Sequence, residues 1–185
     1  GHFTKAQMTA LSGPQLSFLS AAQIGQLSTD QISGINLTAI TSLNEEQIQA
    51  FDPATQISGF SAAQIKGLSD TQVAYFTSAQ LKAFSAVQVA AIEITDIDNM
   101  SEEQIKAFET DQIQALTTAQ FVALTDAQIA AMTDAQVASI DPTQISQITL
   151  AQLGTLGDRV NLFNEDQVAQ FNGSQARSLS ASQLT

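Results

Sequence analysis

The chain has no cysteine and no tryptophan, and only one histidine, six basic residues and three prolines among its 185 residues. Without cysteine there are no disulfides, no thiolate nucleophile and no thiolate metal site, and the absence suits a secreted protein as well as a cytosolic one. The one histidine is His2, beside Gly1 in what reads as the scar of a cut tag, so no imidazole serves as base or zinc ligand. Catalytic triads are excluded on that ground, and neither catalytic residues nor a cofactor are expected. Basic residues are outnumbered by 18 acidic ones, giving a formal charge of -12, which opposes phosphate backbones and anionic membranes. Nucleic acid is not an expected partner. No apolar run approaches the roughly 18 residues of a membrane-spanning helix, and there is no signal peptide or lipidation motif, so membrane insertion is not expected either.

What fills the chain is one eight-residue word, [Ser/Thr/Asp/Asn]-x-x-Gln-[Ile/Val/Leu]-x-x-[Leu/Phe/Ile/Met], restated from Thr4 onward as 22 full units and a fragment. Gln precedes the first apolar residue in 20 of the 23, the exceptions being Ala39, Asp96 and the shortened unit. Positions one and four together form a capping box, in which the first side chain accepts from the N3 amide and the N3 Gln accepts from the cap amide. Each octad is thereby expected to begin its own helix. Other residue types agree with that frame: 16 of the 18 acidic residues fall at positions one to three, where a helix start favours negative charge. Lys66, Lys82, Lys106 and Arg177 stand at position six, and Pro14, Pro53 and Pro142 fall within the first turn.

Eight residues at about 100° each rotate the apolar pair by roughly 80° per unit, so one long helix would present no continuous stripe. Strands fail because positions five and eight would point to opposite faces. The expected fold is all-α, a superhelical rod or solenoid of short single-helix repeats running over residues 4–185. Residues 1–3 are the scar and a partial repeat, and irregular units lie at 52–60, 93–100 and 157–163. The nine-residue and seven-residue units should each bring a kink or a bulged turn. Two apolar residues contribute roughly 1.5–3 kcal/mol apiece, against about 12 kcal/mol for ordering eight residues. A lone octad is therefore unfolded, and only stacking brings the balance near zero.

The residues expected to carry that stacking are typified by Gln104, Ile105 and Phe108, by Gln112, Ile113 and Leu116, and by Gln120, Gln128 and Ile129. Small residues at position seven would let neighbouring helices approach. The Gln amide has two readings, a simple cap or a ladder bonding each turn to the one before. Two octads per turn would make a rod of roughly 100 Å and three a rod of roughly 70 Å, with helices about 9 Å apart.

Five carboxylates between Glu93 and Glu103, with Glu93, Asp96 and Asp98 at their centre, form a candidate calcium site that lacks the glycine and distal glutamate of an EF-hand loop. Tyr75 and Phe18, aromatic at a position usually small, are candidates for a contact patch. Evenly spaced Ser and Thr raise adhesion to ice or mineral, an idea that fails if those hydroxyls are helix caps. The array stops in mid-unit at Thr185 and reads as a fragment of a longer repeat protein.

Residues Leu116-Thr117-Thr118-Ala119-Gln120-Phe121-Val122-Ala123-Leu124 and the octad after them resemble the Leu-Thr-x-x-Gln-Ile-x-x-Leu arrays of large bacterial secreted and cell-surface proteins. That resemblance implies an extracellular or surface-attached, non-catalytic spacer or stalk, expected to be monomeric. The alternative is an adhesion module whose solenoid surface binds a protein, a peptide or a glycan. The same words look like the first helix of the DNA-reading repeats of plant-pathogen effectors, as at Val137-Ala138-Ser139-Ile140. The short period, the missing second helix and the acidic charge separate this chain from them.

Overall fold

The structure, a computed structural model, describes residues 3–183. Gly1, His2 and the last two residues, and with them the tag scar, lie outside the described residues. Short helices follow one another, and there is no strand among the described residues. The chain divides into two compact units between Met100 and Ser101.

Helices start where the caps stand. Thr4, Ser20, Ser28, Ser61, Thr77 and Ser85 each have extended backbone, and each side chain accepts from the amide of the Gln three residues on. Most helices run four to six residues before the chain turns back to extended backbone at position eight or at the next cap, as in Glu102–Ala107, Thr110–Ala115 and Thr118–Ala123. So short a helix is unstable alone, and its stability comes from the pair it buries. Ile32, Ile40, Ile65 and Leu81 at position five, and Ile35, Leu43, Phe60 and Phe76 at position eight, are at most 3% exposed in the first unit. Ile105, Ile113, Ile129, Phe108 and Leu116 are buried equally in the second.

Within each unit a helix packs on the third helix along. In the first, Lys5–Ala10 lies on Thr29–Gly34 and Asp70–Ala74 on Ile94–Ile97; in the second, Glu102–Ala107 lies on Asp126–Ala131, which lies on Leu150–Leu156. Position-eight side chains from successive octads converge at the centre. Phe51 and Phe60 meet edge to face at 4.8 Å, and Phe76 and Phe84 at 5.2 Å. Small residues are demanded where helices cross: a Cβ on Gly34 would sit 2.8 Å from the Lys5 carbonyl oxygen, and one on Gly59 2.9 Å from Thr29 Cα.

Both irregular lengths change helix type. Ahead of Ile57–Gly59, a 3-10 segment, the extra residue of Asp52–Phe60 is taken up in a turn. The seven-residue unit forms the 3-10 segment Gly157–Leu162, entered through Gly157 at φ 56°, where the missing Cβ permits the left-handed backbone.

Candidate functional site

The side chain repeated in every regular octad is the position-four Gln, and in octads such as those of Gln64 and Gln144 each of its ends has its own partner. Gln64 Oε1 accepts the Ser61 amide at 2.8 Å, while Nε2 donates to the carbonyl oxygens of Ile32 and Ile35 at 2.7 and 2.8 Å. Those carbonyls stand at positions five and eight of the fourth octad upstream. Gln72, Gln80 and Gln88 repeat the arrangement on Ile40 and Leu43, Ile48 and Phe51, and Ile57 and Phe60. In the second unit Gln136, Gln144 and Gln152 do so on Ile105 and Phe108, Ile113 and Leu116, and Phe121 and Leu124.

The chemistry follows from what a helix leaves unpaired at its ends. First-turn amides and last-turn carbonyls have no partner inside the helix. One carboxamide, acceptor at one end and donor at the other, supplies the start of one helix and the finish of another. Cap and ladder are therefore one device. Since helices stack on the third neighbour and amides reach the fourth, a turn holds between three and four octads, more than the two or three considered from sequence.

Of the residues singled out from the sequence, those named for the stacking lie among these caps and acceptors. Gln104, Gln112, Gln120 and Gln128 are buried and accept the cap amides of Ser101, Glu109, Thr117 and Thr125 at 2.7–2.9 Å. Ile105, Phe108, Ile113, Leu116 and Ile129 bury their side chains, and their carbonyl oxygens receive the ladder.

Two octads without Gln at position four keep the ladder by other means. Asn36 caps its helix through Oδ1, accepting from Ala39, and its Nδ2 donates to Thr9 and Leu11. Arg159, in the seven-residue unit, donates through its guanidinium to Met132 at 2.6 Å and Ile129 at 3.0 Å. Sequence reasoning missed both. The available signals were an amide cap in the very octad that lacks Gln, and a basic residue away from position six.

Asp96 is the third exception and supplies no amide. It is 4% exposed, its Oδ2 is enclosed without a hydrogen-bond partner, and its Oδ1 lies 3.5 Å from the Thr95 hydroxyl. Burial first, then the charges of Glu93 and Asp70, hold its carboxyl above the usual carboxylate range. The candidate calcium residues are not gathered: Glu93 and Asp98 face solvent while Asp96 points inward. Among the described residues no three acidic or histidine side chains converge to hold a metal.

Phe18 stands 83% exposed, whereas Tyr75 is half-buried and lines a shallow hollow with Asn44, Glu45, Glu46 and Gln49. The cap hydroxyls of Ser61, Thr77 and Ser85 accept the Gln64, Gln80 and Gln88 amides, the use as helix caps under which the idea of ice or mineral adhesion fails. No helix among the described residues is long and apolar enough to cross a membrane.

Compared with known families, the chain matches the model of the ALTTAQ repeat over residues 89–126. Within that stretch Ala115-Leu116-Thr117-Thr118-Ala119-Gln120 spells the repeat's name. No curated protein matches the chain. The similarity is to a tandem repeat, in keeping with a structural repeat region.

Proposed function

We propose that this array is a non-catalytic spacer or stalk of a bacterial secreted or cell-surface protein, and that it works as a monomer. The observation that carries the reading is the use of the repeated polar chemistry inside the molecule. The Gln carboxamides hold helix ends to one another and the cap hydroxyls close the start of their own helix, and what faces solvent is mostly small, polar or acidic. Such a surface offers repulsion and solubility ahead of recognition. A repeat whose units are interchangeable also suits a role set by length, because removing one octad from the middle leaves each Gln beyond the first turn with an octad four places upstream.

The test displays the array on a bacterial surface with an epitope at its outer end. A spacer predicts that antibody access falls as whole octads are removed and is restored by an unrelated spacer of equal reach. Failure of the unrelated spacer to restore function would contradict it. The second reading, capture of a peptide or glycan, is favoured by the hollow beside Tyr75, where an aromatic ring adjoins Asn44 and Gln49. Tyr75→Ala would abolish surface attachment under that reading and leave a spacer unaffected.

A further inference from the structure

The regular ladder fixes what Asp96 faces. Where the intervening octads are of standard length, the bridging amide reaches carbonyls 31 and 28 residues upstream, as from Gln88 to Ile57 and Phe60 and from Gln144 to Ile113 and Leu116. The same register places Asp96 against the Ile65 and Leu68 carbonyls. A Gln there would present two N–H donors; an ionised Asp presents only acceptors to acceptors, in a place closed to water.

We propose that Asp96 carries a proton in the folded protein and donates it to one of these two main-chain carbonyls, so that this turn of the array tightens in acid and loosens as the carboxyl ionises.

The surroundings favour the neutral form. Asp70 stands on the helix Asp70–Ala74, which packs against Ile94–Ile97, and Glu93 and Asp98 flank Asp96 on its own turn. Neither helix carries a basic residue, and Lys66, on the preceding helix Ala62–Lys66, faces solvent. The direction of the carboxyl shift, upward from 3.8, agrees with this geometry. For an acid held above its unfolded value the folded state binds the extra proton. The contribution to stability is therefore complete below about pH 3.8 and is lost as pH rises through the folded value.

The experiment measures urea midpoints of the wild type, Asp96→Gln and Asp96→Asn at several pH values from 4 to 8, together with a carbon-13 titration of the wild-type Asp96 carboxyl. Asp96→Gln restores a regular amide and should raise the midpoint at pH 7.5, by a margin that narrows steadily toward pH 4. Asp96→Asn, neutral but one methylene shorter, should fall between the two at pH 7.5. The wild-type carboxyl should titrate above the ordinary aspartate range. A margin independent of pH, a carboxyl titrating at or below the ordinary value, or a margin closed at pH 7.5 by millimolar calcium alone would overturn the proposal, the last by showing that a cation and not a proton sits between the oxygens.

Discussion

Gln144 Nε2 lies 2.9 Å from the carbonyl oxygen of Ile113, a residue 31 positions earlier, while its Oε1 lies 2.8 Å from the Asp141 amide. One buried side chain thus closes the start of one helix and the end of another. Gln144→Ala should lower stability by about 2–3 kcal/mol, because buried main-chain groups at both places lose their partners. Gln144→Glu keeps an acceptor for the cap but loses the donor, and at neutral pH should be at least as damaging. Urea denaturation checks both. A Glu variant as stable as the wild type would mean that capping alone matters.

Asn36 and Asn44 are both caps, but only Asn36 also bridges to the turn before it, through Leu11 at 2.6 Å. Gln47 performs that task in the octad of Asn44, donating to Leu19 at 2.7 Å. Asn36→Ser keeps a capping oxygen and removes the bridge, at an expected loss of about 1–2 kcal/mol. Asn44→Ser exchanges one good cap for another and should change stability by less than about 0.5 kcal/mol.

Glycines separate crossing points from open surface. Gly34→Ala drives a methyl into the Lys5 carbonyl and should cost about 1–3 kcal/mol. At Gly154, inside the helix Leu150–Leu156, a Cβ meets nothing within 4 Å, so Gly154→Ala should stabilise by about 0.5–1 kcal/mol. Thermal unfolding of the two variants would show opposite shifts.

Ile105 is fully buried and Lys106, beside it, is exposed. Ile105→Asp places an uncompensated carboxylate among apolar side chains and should cost about 4 kcal/mol or more. Lys106→Ala should lie within about 0.5 kcal/mol of the wild type in a denaturant titration. Equal effects would mean that the octad frame is misaligned.

Much of this architecture is legible in the sequence because burial and capping each depend on residue type at a fixed spacing. The pair Ile105 and Phe108, and the cap Ser101 with Gln104, are local relationships that a single octad displays. What the Gln amide does at its other end is not legible in the same way. Its acceptors, such as the carbonyls of Ile32 and Ile35 for Gln64, belong to the main chain and leave no mark on residue choice. The number of octads per turn is hidden for a related reason, since it follows from turn torsions that every unit shares. Asp96 shows how the two gaps combine. Read beside Glu93 and Asp98 it suggests a cation site, and only the inward direction of position four sets it apart from its exposed neighbours.

Gln carboxamides bind one turn of the array to the next, and hydrogen exchange of the side-chain amides is the sharpest check of that linkage. In the folded protein the Nε2 protons of Gln64, Gln72, Gln136 and Gln144 should exchange slowly, in step with main-chain amides of the core, while those of exposed Gln7, Gln15 and Gln26 exchange at the rate of free carboxamides. Uniformly fast exchange at all seven would contradict the account.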